Sequence, residues 1–357
     1  MQTRDFDFEL PPALIAQEPP LERGTSRLLV LSRATGAVRH AAVADLPTLL
    51  HAGDLVVVND TRVFPARLLG TRVPSGGAVE CLLIAPVPAA DSSSGQEHDQ
   101  LWEALVHPGQ KLKPGAHVRF GGDAGLEGEI LERRFFGRRL VRLRTTDGSP
   151  VTDAIERVGH VPLPPYIKRP DTLADRERYQ TVFAERSGSV AAPTAGLHFT
   201  EPLVAALRAA GIAVVSITLH VGYGTFQPVR DEDVAQHRMD AERYSVTPET
   251  AAAIAEARQS GRRVIAVGTT TTRTLEAVAL GHGGAVAPGE GRTDLFIYPG
   301  FRFQVISGLL TNFHLPKSSL LMLVAAFAGL DPVMRAYREA VAQGYRFYSY
   351  GDAMLIV

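Results

Sequence analysis

The sequence predicts an α/β protein built on a mainly parallel sheet with flanking helices, with a small antiparallel β-barrel inserted near its N-terminus. Three observations carry that expectation. Short β-branched runs alternate with capped helical segments after residue 165; two similar runs precede residue 65; between them come short apolar stretches with no helical period, separated by Gly, Pro and Asp. The expected division is an α/β domain over residues 1–64 and 151–357 and a barrel domain over 65–150.

Taken in order, RLLVL at 27–31 and DLVVVN at 54–59 read as strands buried on both faces, because neither alternates with polar residues. The barrel strands are expected around 80–84, 102–106, 117–120 and 139–143, with a hairpin tip at 86–100 that contains SSSG at 92–95. Helices are expected at 202–210 and 248–260. Thr200 and Thr247 offer a hydroxyl at each N-cap, Pro202 and Pro248 sit in the first turn, and Gly211 and Gly261 fall where helices end. Strands at 214–218 and 264–268 follow these helices.

Composition narrows the function. The 357 residues carry 37 Lys and Arg against 38 Asp and Glu, so a polyanion must be held by a local patch rather than by net charge. One cysteine, Cys81, cannot build a disulfide framework or an iron–sulfur cluster, and no histidine pair has metalloprotease spacing, so no metal is expected. The acidic start lacks a secretory signal, and the apolar run over 320–330 is shorter than the roughly 20 residues a membrane span needs. A cytoplasmic, membrane-free, monomeric protein is expected.

In such sheets ligands bind beyond strand ends, so polar, Gly-rich segments after strands are where chemistry is sought. Four qualify: 190–200, with Thr194, Gly196 and His198; 219–226, with His220, Tyr223, Gly224 and Thr225; 268–273, with Gly268, Thr269, Thr270 and Arg273; and 310–319, with His314 and Lys317. Glycine lets a ligand approach the backbone, and Thr hydroxyls and free N–H groups bind carboxylate or ribose oxygens. Any one such segment is more often only a turn. The dinucleotide and P-loop fingerprints are absent: Gly222 and Gly224 lack a third glycine, and Lys317 lacks the preceding ones. A cationic cluster, Arg133, Arg134, Arg138, Arg139, Arg142 and Arg144, with only Glu132 nearby in sequence, suits phosphate contacts and is the expected RNA-binding surface; the alternative is a solvated hairpin.

Ten segments in order, among them RGTSRLL at 23–29, GDLVVVNDTRVFPARL at 53–68, PTAGLHFT at 193–200, HVGYGTFQPV at 220–229, GTTTTRTLE at 268–276 and TDLFIYPG at 293–300, resemble the S-adenosylmethionine:tRNA ribosyltransferase-isomerases of queuosine synthesis over almost the whole chain. The resemblance implies transfer and isomerisation of the ribosyl part of S-adenosylmethionine onto 7-aminomethyl-7-deazaguanine at the wobble position of tRNAs with GUN anticodons. The implied products are epoxyqueuosine-tRNA, adenine and methionine. S-adenosylmethionine is then a consumed cosubstrate and no cofactor is needed. Under this reading His220 or His198 moves a proton, with His314 a third candidate; Thr194, Thr225, Thr269 and Thr270 hold ribose or methionine oxygens, and Lys317 holds a carboxylate or phosphate. One departure stands out: Asp240 occupies a position where the family usually has His. A tRNA methyltransferase using the same cosubstrate and a non-catalytic RNA-binding adaptor are the competing expectations.

Overall fold

A computed structural model describes residues 1–87, 97–122, 125–226, 229 and 231–357. Most of the expected hairpin tip, residues 88–96, lies outside the described residues. The chain forms two compact units, one of residues 1–62, 164–169 and 178–357, the other of 63–163 and 170–177. Residues 151–163 and 170–177, assigned from sequence to the α/β domain, thus pack with the barrel.

The larger unit is built on a nine-stranded sheet in the order Gly289–Thr293, Glu242–Val246, Ala213–Leu219, Leu55–Asn59, Val264–Val267, Gly308–Asn312, Ala353–Ile356, Arg27–Leu31, Val38–Ala42. The four strands from Ala213–Leu219 to Gly308–Asn312 are mutually parallel, as are Ala353–Ile356 and Arg27–Leu31. Elsewhere the sheet is antiparallel, including between Gly308–Asn312 and Ala353–Ile356, so it is mixed and the expectation of a mainly parallel sheet is corrected. The reason is physical. The strands Glu242–Val246 (ERYSV) and Gly289–Thr293 (GEGRT) are too polar to announce themselves, and apolar content does not encode a strand's direction.

Strand periodicity divides the core. Leu29, Leu31, Leu55, Val57, Val264 and Ala266 pack on one side of the sheet, and their neighbours Leu28, Val30, Val56, Val58, Ile265 and Val267 on the other. Helix Glu201–Ala209 covers the second side with Leu203, Val204 and Leu207. Helices Pro248–Gln259, Thr269–Gly281, Ser319–Ala328 and Leu330–Ala342 cover the first. Each fully buried Leu or Val contributes about 1.5–3 kcal/mol. The expected caps form: Thr200 Oγ1 accepts from Leu203 N, Thr247 Oγ1 from Thr250 N, each at 3.2 Å, and Gly211 and Gly261 take φ of 78° and 67°. Among the described residues no single helix is long and apolar enough to cross a membrane.

The smaller unit contains a closed antiparallel barrel in the order Arg138–Thr145, Asp99–His107, Ala78–Val87, Arg67–Val73, His117–Phe120, Leu126–Arg133. Alternating side chains such as Leu68, Leu83, Trp102, Ala104, Ile130 and Val141 fill it. Gly70 and Gly128 make room for Phe120: a Cβ on either would lie 2.7 and 2.8 Å from that ring. Cys81 is buried here, and desolvation pushes its thiol up to about 12, which leaves it inert. Helix Val151–Val158 turns Val151, Ala154 and Ile155 inward at helical spacing.

Candidate active site

At the C-terminal ends of the central parallel strands, the larger unit opens into a cleft of about 500 Å3. Gly268 follows strand Val264–Val267 directly and takes φ of 89°, which starts helix Thr269–Gly281 at once. Residues 268–273, expected to form a turn, are therefore the N-terminal turns of a helix. Four consecutive Thr residues are tolerated because Thr271, Thr272 and Thr274 each donate to the carbonyl four residues back, at 2.8, 3.1 and 3.0 Å. No side chain caps this helix. Its first N–H groups and the positive end of its dipole bear on the cleft beside Thr269 and Thr270, where electron-rich ligand atoms bind favourably. Asn59 fixes Thr270: its Nδ2 donates to Thr270 Oγ1 at 3.3 Å and to Leu219 O at 3.0 Å, and its Oδ1 accepts from Leu219 N at 3.1 Å.

Thr194, Gly268, Thr269, Thr270 and His314 of the expected set line the cleft. Thr311, Asn312, Tyr348 and Ser349 join them without having been singled out. Tyr348 carries a signal visible only in three dimensions, a φ of 76° that a non-glycine residue adopts under strain. Gly196 is instead packed against Thr181, and Lys317 pairs with Asp7 at 2.7 Å. The Thr225 side chain lies outside the described residues.

The three histidines differ in kind. His198 is buried, with Nε2 3.1 Å from Asn312 Nδ2 and Nδ1 3.0 Å from Ser26 Oγ. Because Asn312 Nδ2 also donates to Tyr348 O at 3.0 Å, its amide orientation is set; Nε2 accepts and Nδ1–H donates to Ser26. Burial first, then Arg346, pushes His198 down to about 4. His314 holds Thr311 Oγ1 at 2.9 Å through Nε2, and burial pushes it down to about 3. His220 is half-buried, Nδ1 2.9 Å from Thr61 Oγ1, with its ring over Gly188, where a Cβ would lie 2.9 Å away. Its pKa is lowered by burial and by Arg243, with Asp60 opposing and Arg186 adding. His220 does not itself line the cleft; its neighbour Val221 does.

Two neutral buried imidazoles make the fold acid-sensitive. Unfolded His titrates near 6.5, above the values of His198 and His314 in the fold, so the unfolded chain takes up protons first as pH falls. Stability is expected to be full above that pH and to drop by about 1.4 kcal/mol per histidine for each pH unit below it. Denaturant midpoints at about pH 6.5 and about pH 5.5 check this. His314→Asn should flatten the dependence; an unchanged slope would contradict the assignment.

Arg273, expected to bind substrate, is withdrawn from solvent. Only 3% exposed, it forms an ion pair through Nη1 with Glu242 Oε2 and donates from Nε to Leu295 O at 2.9 Å. Glu242 Oε1 in turn accepts from Gly222 N at 2.8 Å, so the pair anchors the loop that carries Tyr223 and Gly224. Exposed Asp240 lies against the same loop, its Oδ2 2.7 Å from where a Gly224 Cβ would be.

The barrel arginines are less naked than their sequence neighbourhood suggested. Cross-strand pairing brings acids to them: Arg138 meets Glu103 at 3.2 Å, Arg142 meets Glu129 at 3.3 Å, and Arg144 meets Asp99 at 2.6 Å. Arg134 lies 3.7 Å from Glu132. Arg139 is buried, donating to carbonyls of Gly137, Arg138 and Gly109. Arg133 remains exposed. The expected ratio of six Arg to one Glu is corrected, because sequence distance hides partners on adjacent strands.

A parallel strand end, an uncapped helix start and a cleft whose mostly apolar walls carry a few polar side chains are the usual arrangement of an α/β enzyme's small-molecule site, here in a chain that also carries a barrel unit. The chain belongs to the queuosine biosynthesis protein family, whose model matches residues 3–356. It is 52% identical over 357 residues to a Heliobacterium modesticaldum protein named S-adenosylmethionine:tRNA ribosyltransferase-isomerase, covering 100% of both chains. A protein of the same name from Anaeromyxobacter sp. is 52% identical over 356 residues, covering 100% of this chain and 99% of that one. The crystal structure of S-adenosylmethionine tRNA ribosyltransferase from Thermotoga maritima is similar with a TM-score of 0.55 at 38% identity, covering 99% of this chain and 100% of that chain.

Proposed function

We infer that this chain is an S-adenosylmethionine:tRNA ribosyltransferase-isomerase that acts in queuosine biosynthesis. The observation that carries the reading is a full-length relationship to proteins of that name in a chain whose separated Thr- and Gly-rich segments meet in one cleft. The acceptor is the 7-aminomethyl-7-deazaguanine at the wobble position of GUN-anticodon tRNA, and the products are epoxyqueuosine-tRNA, adenine and methionine. The protein acts as a monomer without a cofactor, consuming S-adenosylmethionine as cosubstrate.

The residues divide the work by their chemistry. The sulfonium acidifies the adjacent ribose C5′, and a neutral imidazole removes the proton there. His220, one residue from the cleft-lining Val221, suits this role when the bound ribose reaches that edge of the cleft. The lone pair of His198 is occupied by Asn312, and His314 faces Thr311. Thr194, Thr269 and Thr270, with the start of helix Thr269–Gly281, hold the ribose and methionyl oxygens. Among the barrel arginines, exposed Arg133 best suits a phosphate.

Incubation with ribose-labelled S-adenosylmethionine and deazaguanine-modified tRNA tests the reading. Label in the RNA with release of adenine and methionine supports it. S-adenosylhomocysteine would indicate methyl transfer instead, and failure to bind S-adenosylmethionine would leave an RNA-binding adaptor.

Asp240 touches the loop backbone rather than lining the cleft. Asp240→His is therefore expected to leave kcat/KM within about tenfold, or about 1.4 kcal/mol of barrier. A larger gain in the same assay would show that an imidazole is needed there.

A further inference from the structure

Asn312 ends the strand Gly308–Asn312 and lines the cleft. Its side chain, 2% exposed, has one group left uncommitted. Nδ2 donates to His198 Nε2 at 3.1 Å and to Tyr348 O at 3.0 Å, which uses both amide hydrogens. Turning the amide over would set Oδ1 against the Tyr348 carbonyl, so the orientation is fixed. Oδ1 is therefore a pure acceptor, buried and, among the described residues, without a donor. Such an atom is costly to leave unmet, and on a cleft wall a ligand's N–H can meet it. The sheet register shows what lies beside it. Strands Val264–Val267 and Gly308–Asn312 run parallel with Val267 opposite Leu310, and Gly268 N donates to Leu310 O at 2.8 Å, which brings the start of helix Thr269–Gly281 alongside Thr311 and Asn312. Neighbouring strands lie about 4.8 Å apart. A helix start that suits an anion and an amide oxygen that suits a cationic donor are thus neighbours in one cleft.

We propose that Asn312 Oδ1 accepts a hydrogen bond from the α-ammonium of the methionyl group of S-adenosylmethionine, whose carboxylate lies at the start of helix Thr269–Gly281. Ammonium and carboxylate share one carbon, so an α-amino acid needs a cation acceptor and an anion site side by side, as the two strand ends supply. Among the described residues no acidic side chain lines the cleft, so a neutral oxygen takes the ammonium, in a charge-assisted bond stronger than a neutral pair makes. The adenine 6-amino group is the competing donor, but it carries neither the charge nor an adjoining anion. This inference rests on the proposed function and gives a role to Asn312, which that reading leaves without one.

Direct binding, without turnover, tests it. Titration calorimetry compares S-adenosylmethionine, its analogue lacking the α-amino group and its analogue lacking the adenine 6-amino group, each alone and with tRNA that carries unmodified guanine at the wobble position. The wild-type protein is expected to bind the first analogue about tenfold or more weaker than S-adenosylmethionine. Asn312→Leu should abolish that preference and leave the discrimination against the second analogue unchanged. A wild-type protein that binds the first analogue within about threefold of S-adenosylmethionine overturns the proposal without any variant. An Asn312→Leu protein that keeps the preference for the α-amino group overturns it, as does one that loses discrimination at the adenine instead. Equal weakening of all three ligands also overturns it, because displacement of His198 or Tyr348 would produce that result. Should Asn312→Leu fail to fold, Asn312→Ala is judged by the same criteria. A wild-type protein that binds S-adenosylmethionine under neither condition would instead sink the functional reading, and this inference with it.

Discussion

His220→Gln is expected to lower kcat/KM for ribosyl transfer by about 10²–10⁴, the usual contribution of a placed proton-transfer group. The ring is held on two sides, by Thr61 Oγ1 at 2.9 Å and by the backbone at Gly188. Thr61 Oγ1 donates onward to Arg186 O at 3.5 Å, so it accepts from Nδ1–H and leaves the basic lone pair on Nε2. Burial and Arg243 lower the pKa of His220 from 6.5, outweighing Asp60. The neutral, proton-accepting form therefore prevails at neutral pH, and kcat/KM should be flat there and fall only on the acid side of 6.5. In His220→Gln that acid limb should vanish along with most of the rate. Retention of either, in a variant whose melting point matches the wild type, would remove His220 from the reaction.

Glu242→Ala should destabilise the larger unit by about 3–5 kcal/mol, because it strands Arg273 as a buried unpaired charge. The two side chains are 5% and 3% exposed, and the carboxylate also holds Gly222 N. Replacing both, Glu242→Leu with Arg273→Met, should recover most of the loss, since the penalty belongs to the orphaned ion rather than to the pair. Denaturant titration of the wild type and the two variants measures this. A single variant within about 1 kcal/mol of wild type would show that water reaches the guanidinium. The double variant still frees the 222–226 loop, so recovered stability with persistently raised KM would locate the pair's second effect in loop placement.

Much of this was legible in the chain. The runs at 27–31 and 54–59 showed buried strands because a strand covered on both faces has no polar alternation, and Leu28 to Leu31 do divide between two cores. Thr200 and Thr247 showed helix starts because capping is settled within four residues. The barrel strands at 117–120 and 139–143 were visible, whereas Arg67–Val73 and Leu126–Arg133 were hidden by the charges on their outer positions.

The site was legible in kind and less so in membership. Thr194, Thr269, Thr270 and His314 reach the cleft, while Tyr348 and Ser349 enter it from a C-terminal segment with no local cue. Arg273 shows the limit: its charge suggested a ligand, but its partner Glu242 is 31 residues away on a polar strand whose pairing no local pattern announces. The Asp99, Glu103 and Glu129 carboxylates that neutralise the barrel arginines were hidden for the same reason.

Thus the sequence by itself determined the local elements, the presence of a barrel and the segments that carry chemistry, since periodicity, caps and turns act over a few residues. Only the tertiary structure decided strand direction, which charges are cancelled and which histidine keeps an available lone pair. Those depend on groups brought together across many residues of chain, where burial and cross-strand contact set the energies.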